Sequence, residues 1–237
     1  MFNCIKMDLY RMFRMKSFYV IGIILAAATF FTTSMSVLDY NLMKEEVEQN
    51  SQVYEQEISS DEEPVNLGMD VTIPTQPGEK VTVYDQVYAN LHGKFIALFM
   101  VIFAVLFSAS DLSSGYIKNI GGQMKNRGNF ILSKAVALFI YTILTMLFYL
   151  FIQTVAQAIC FNELQLGSIK DLAAYSAIQI LLHYALLLIC MAITIITRSQ
   201  VFSMTFAVLF CMNVMVILYS TVDKIVARLG IEDFNML

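Results

Sequence analysis

Apolar positions in this chain gather into five long blocks separated by polar stretches, and no two-residue alternation runs through them. The blocks cover residues 17–38, 95–110, 129–161, 172–196 and 201–220. They approach the roughly 20 apolar residues that a helix needs to cross a hydrocarbon layer, and the best of them carry no Asp, Glu, Lys or Arg. The pattern predicts an all-α polytopic membrane protein with five visible transmembrane helices. The third block is longer than a perpendicular span requires, so it is tilted or continues past the bilayer.

Residues 1–16 read differently. Phe2, Ile5, Leu9, Met12 and Phe13 recur at helical spacing while Arg11 and Arg14 fall opposite, which predicts an amphipathic helix lying at the membrane interface. A basic tail that only fixes topology is the plainer reading. The first block is preceded by Lys6, Arg11, Arg14 and Lys16, but its apolar run continues well past Ala26, Ala27 and Ala28, which favours a retained helix over a cleaved signal peptide.

Composition agrees with the blocks. The chain has 237 residues, 58% hydrophobic and 14% charged, with a mean hydropathy of +0.65; soluble domains carry about a quarter charged residues. Lys and Arg cluster before the first block, in the 111–128 segment (Lys118, Lys125, Arg127, with Lys134 just beyond) and at Arg198. Those three regions are assigned to the cytoplasm. The opposite side receives the 39–94 loop, the short loop around Asn162 to Asp171, and residues 221–237. The long loop is acidic, its Leu42 to Ile58 part reads as a helical extension of the first block, and VTIP and VTVYDQVY have strand-like content. Such an acidic surface gathers cations at short range, within a screening length of about 8 Å, or simply keeps positive charge off the outer face.

Candidate chemistry is sparse. No GxxxxGK[ST] loop is present, so the chain holds no phosphate cradle of that kind, and HExxH is missing. Cys4, Cys160, Cys190 and Cys211 form no CxxC pair and read as small apolar residues. Gln153, Gln157, Gln179, His183 and Asn213 are polar groups at membrane depth. They are candidates for lining a substrate path, or they are interhelical hydrogen-bonding glue.

The most distinctive stretch is DLSSGYIKNIGGQMKNRGNFILSK, residues 111–134, polar and glycine-containing between two blocks. Its order is Asp111 closing the second block, then Gly115, Lys118 and Asn119, then Arg127 and Lys134 leading into the third. Together with the N-terminal helix and the long first loop, this resembles the ABC-2 type permease family, the membrane subunits of bacterial ABC exporters. The resemblance implies that roughly Asp111 to Asn126 forms a short coupling helix docking on an ATP-binding subunit, with Asp111, Gly115, Lys118, Asn119 and Arg127 as the ATPase-coupling residues. Ser113 and Ser114 suit its N-cap, Gly121 and Gly122 its exit, and Arg127 and Lys134 suit anchors at the headgroups.

It further implies a bacterial plasma membrane location and no enzymatic activity in this chain. ATP and Mg would be held by two copies of the partner ATPase, beside a second permease subunit in a homodimer and membrane lipid, with no nucleic acid. Family members usually have six spans, so residues 221–237 are expected to precede a sixth. The acidic loop and apolar bundle suggest an amphipathic substrate such as an antimicrobial or bacteriocin-like peptide. The alternative is a non-transporting sensor or scaffold acting through the outer loop.

Overall fold

The computed structural model describes residues 2–49, 75, 80–113, 128–161 and 165–212, and all regular structure among them is helical. Seven helices follow in order: α1 (Phe2–Arg14), α2 (Lys16–Gln49), α3 (Val83–His92), α4 (Phe95–Ser113), α5 (Gly128–Cys160), α6 (Ile169–Thr197) and α7 (Gln200–Cys211). Three of them, α2 over Lys16–Leu42 together with α5 and α6, are long and apolar enough to cross a membrane. The pair α3 and α4, bent by 55° at a short break, passes the same test as one broken span. The second predicted span therefore has helix on both sides of its start, and α7 covers the first part of the fifth. Its remainder, including Asn213, lies outside the described residues.

Side-chain placement is that of a bundle in an apolar medium. Along α2, Ile23 and Phe31 are 70% and 66% exposed whereas Thr29 and Thr33 are wholly buried. Water would favour the reverse; lipid makes outward apolar groups free of cost and leaves the interior to small and hydrogen-bonded residues. The hydroxyls are satisfied within the helix: Thr29 Oγ1 donates to the Leu25 carbonyl and Thr33 Oγ1 to that of Thr29, both at 2.8 Å. Where apolar groups do meet, α2, α4 and α5 join through rings, Phe103 stacking on Tyr141 at 4.0 Å with Phe18 edge-on to both.

The strand-like reading of VTVYDQVY is corrected: from Val83 onward it is helical. Thr82 and Asp85 form a capping box, with the Asp85 amide donating to Thr82 Oγ1 at 3.2 Å and the Thr82 amide to Asp85 Oδ2 at 3.0 Å. Beyond it Val83, Gln86, Val87, Asn90 and Leu91 fall on one buried face at helical spacing. VTIP lies outside the described residues. α3 ends where Lys94 takes a left-handed φ of 55°, and its amide donates to the Leu91 carbonyl at 3.1 Å. At the start of α3 Gly167, at φ 68°, lets the stretch before α6 approach Thr82; a Cβ there would stand 3.2 Å from Thr82 Oγ1. Val83 also donates to the Gln165 carbonyl at 2.8 Å.

Candidate functional site

A buried charge cluster sits where α1, α4 and α5 meet. Asp111 is wholly buried and forms ion pairs with both Arg11 and Lys134. Lys134, 1% exposed, also donates to the Phe107 carbonyl at 3.2 Å and stands over the Phe107 ring at 4.3 Å. Asp8 completes the cluster, wholly buried and accepting from Ser133 Oγ at 2.6 Å. Burial pushes the Asp8 carboxyl above its ordinary value of 3.8; the Ser133 hydrogen bond and the Lys134 charge oppose the rise. Two acids and two bases are thus confined together, and each is costly without the others.

Three expectations change here. The second-block helix does not stop at Ser110 but continues through Asp111 to Ser113, so Asp111 is a bundle residue and Ser113 ends a helix instead of opening one. Lys134 is not a headgroup anchor, because the acid across from it holds it inside. Arg11, placed on the outer face of α1, turns inward to Asp111, while Phe2 on the opposite face is 86% exposed. Gly115, Lys118, Asn119 and Arg127 lie outside the described residues.

A second polar lattice ties α3 to α2 and α5. Gln153 accepts from Asn90 Nδ2 at 3.0 Å and donates to Thr33 Oγ1 at 3.1 Å. Gln86 donates to Ser36 Oγ at 3.0 Å, and Gln157 donates to the Val81 carbonyl at 3.0 Å. All four amides are wholly buried. Gln153 and Gln157 therefore hold the broken span in place by interhelical hydrogen bonds.

Gln179 and His183 are placed differently. Both line a cavity of about 280 Å³ beside the α3–α4 break, with Leu91, His92, Lys94, Ala97, Tyr175, Leu182, Leu186, Phe210 and Cys211. His183 is 6% exposed, and its Nδ1 lies 2.8 Å from the Gln179 carbonyl. Since a carbonyl only accepts, Nδ1 carries the hydrogen. The other ring nitrogen, Nε2, is buried with no hydrogen-bond partner among the described residues. Among the described residues no group of three or more His, Cys, Asp or Glu is arranged to hold a metal ion.

The sequence carried signals for several of these positions. Asp8 is the lone acid ahead of Asp39, and Lys134 the lone charge between Phe130 and Phe161; both are anomalies that ask for partners. Gln86 and Asn90, at i and i+4, were hidden by the strand reading.

No curated protein and no solved structure matches the chain. Residues 64–227 match the profile of a family described as a protein of unknown function, DUF2705. That region takes in α3 to α7, and with them Asp111, Lys134, the amide lattice and the cavity; α1 and α2 precede it. With well over half its length matched, the chain belongs to the DUF2705 family.

Proposed function

We propose that this chain is the membrane-embedded permease subunit of an exporter driven by a separate ATPase, located in a bacterial plasma membrane with its N-terminus inside. The observation that carries the reading is the charge cluster. Asp111 and Lys134 stand at the two helix ends that flank residues 114–127, and Arg11 joins α1 to both. A force applied to that connecting segment would be delivered to α1, α4 and α5 together instead of being lost in a loose loop. Supporting it, α4 belongs to a broken span, and discontinuous helices in membranes sit where backbone lines a cavity.

The work would come from ATP and Mg bound by two partner subunits, with a second copy of this chain completing the pathway. An apolar bundle beneath an acidic outer loop suits an amphipathic substrate, an antimicrobial peptide being the class that fits both. The test is co-purification of the tagged chain from its native membrane, beside a sample in which Lys118 and Asn119 are replaced. An ATP-binding subunit that accompanies the first and is lost from the second supports the reading. Absence of any ATPase from a folded, monodisperse wild-type sample refutes it and leaves the sensor or scaffold alternative.

A further inference from the structure

We propose that the groove between the start of α2 and α5 holds one acyl chain of an anionic phospholipid, with the phosphate of that lipid on Arg14 and Lys16. The inference goes beyond the transport reading and stands without it.

The groove begins at the elbow between α1 and α2. Phe13 and Phe18 lie at that end, their rings edge to face at 5.5 Å, and the lining continues along α2 to Leu25 and along α5 to Phe148. The two helices run side by side in the same direction, since Phe18 meets Tyr141 at one level and Thr33 meets Gln153 farther along. Phe18 to Leu25 and Tyr141 to Phe148 each advance seven residues, about 10 Å of helix. That is two-thirds of the roughly 15 Å that one leaflet contributes to the hydrocarbon layer. The groove has a volume of about 430 Å³, and no charged side chain lines it.

Gly22 lies in its wall. A Cβ built there meets no heavy atom within 4 Å, so no close packing among the described residues calls for a glycine, although glycine inside a helix is unfavourable relative to alanine. What glycine supplies at this position is space along the groove that no side chain of its own takes. Aromatic and aliphatic walls around such a space suit an alkyl chain.

Charge at the elbow selects which lipid brings that chain. Asp8 is the lone acid ahead of Asp39 and is wholly buried against Ser133, so every exposed charge in residues 2–38 is basic. Arg14 and Lys16 are both exposed, and neither pairs with an acid among the described residues. Arg14 directly follows Phe13 and spends one guanidinium donor on Tyr10 Oη at 3.0 Å, out of five. Lys16 shares a face of α2 with the groove residues Tyr19 and Ile23, at i, i+3 and i+7. Helical side chains lean toward the N-terminus, which carries the Lys16 ammonium past the end of the groove to headgroup level. A phosphate seated on these two cations places its acyl chain at the entrance. A groove of about 10 Å is short for a partner helix, whose seam would continue through both leaflets.

The test is to titrate full-length protein in detergent with phosphatidylglycerol or with phosphatidylcholine of the same chains, counting bound lipid by native mass spectrometry. Wild type should take up one phosphatidylglycerol saturably, at least about tenfold more tightly than phosphatidylcholine. Gly22→Leu, which places a side chain where an added Cβ meets nothing, should lose that lipid while its lipid-free unfolding midpoint stays at or above the wild-type value. Replacing Arg14 and Lys16 together by Gln should weaken phosphatidylglycerol roughly 25-fold, at about fivefold for each basic side chain near the headgroups, and leave phosphatidylcholine unchanged. Equal binding of the two lipids, uptake without saturation, or full retention by Gly22→Leu overturns the proposal. So does a dimer that Gly22→Leu disperses, which would give the groove to a second copy of the chain. The comparison of the two lipids on wild-type protein decides without any variant having to fold.

Discussion

Replacing Asp111 by Asn removes the shared partner of two cations while keeping the shape of the side chain. Lys134 is 1% exposed and would keep the Phe107 carbonyl, the Phe107 and Phe130 rings and a neutral amide oxygen, with Asp8 as the one acid left in the cluster. Breaking a buried pair by removing one partner costs about 3–5 kcal/mol, since an uncompensated charge stays behind. Lys134→Met is milder, because Asp111 retains Arg11, whose side chain is 24% exposed and reaches solvent. Its expected cost is about 1–3 kcal/mol, the range for a buried group that loses one partner. In the double variant Asp111→Leu with Lys134→Met one acid and one base leave together, with Asp8 and Arg11 remaining as opposite charges, and it should recover much of the loss.

The buried free thiols of Cys190 and Cys211 supply the assay: a thiol-reactive fluorophore reports unfolding in detergent as they come into reach. At about 2–4 °C per kcal/mol for a chain of this size, Asp111→Asn should lower the midpoint by roughly 6–20 °C. A shift below about 2 °C, or a larger loss from Lys134→Met than from Asp111→Asn, would sink the claim that Asp111 organises the cluster.

Other outcomes follow from the same geometry. Gln153→Leu should cost about 1–3 kcal/mol in the thiol assay, because Asn90 and Thr33 lose a partner inside the bundle; an unchanged midpoint would mean the lattice does not hold α3. Gly167→Ala should cost about 1–2 kcal/mol for the left-handed backbone alone, with the Thr82 contact adding to it, and a neutral result would contradict the close approach. Asp8 has its proton affinity raised by burial, so the folded chain holds that proton more tightly than the unfolded one. Stability is then lost as pH rises from 3.8 to the raised value and is flat outside that window. Asp8→Asn, which can still accept from Ser133, removes this slope, so midpoints of variant and wild type should diverge in the variant's favour as pH rises; parallel curves would refute it.

Membrane character and the main helices were legible because apolar block length is a one-dimensional property. The expected spans at 129–161 and 172–196 fall on α5 and α6 with small boundary differences. What stayed hidden was pairwise. Nothing in a single row of residues says that Asp8 meets Ser133, 125 positions away, or that Asn90 meets Gln153. VTVYDQVY carries the β-branched and aromatic content of a strand, but the Thr82–Asp85 cap together with burial of Gln86 and Asn90 decides the local structure. Nearness to a span end marks a lysine as a headgroup anchor when it faces lipid, and that rule lapses for Lys134 because Asp111 on the neighbouring helix holds the charge inside.

The two sites lie at opposite ends of a single helix. Lys94 and Ala97 at the start of α4 line the cavity, and Asp111 near its end anchors the charge cluster. The intervening residues pack through Met100, Phe103, Ala104 and Phe107, all wholly buried, and close-packed interiors transmit displacement instead of absorbing it. The compliant point is the break itself, where Lys94 holds a left-handed φ and α3 turns away by 55°. α3 in turn is fastened to α2 and α5 by the amide lattice. Under the transport reading, a push on the Asp111 end would move α4 against the fastened α3, and the cavity beside their junction would change shape. Coupling in that sense requires the junction to have two arrangements, so the imidazole NMR signal of His183, in the cavity wall, is the place to look for it, and a cluster variant such as Lys134→Met that leaves that signal unmoved would show the two ends to be independent.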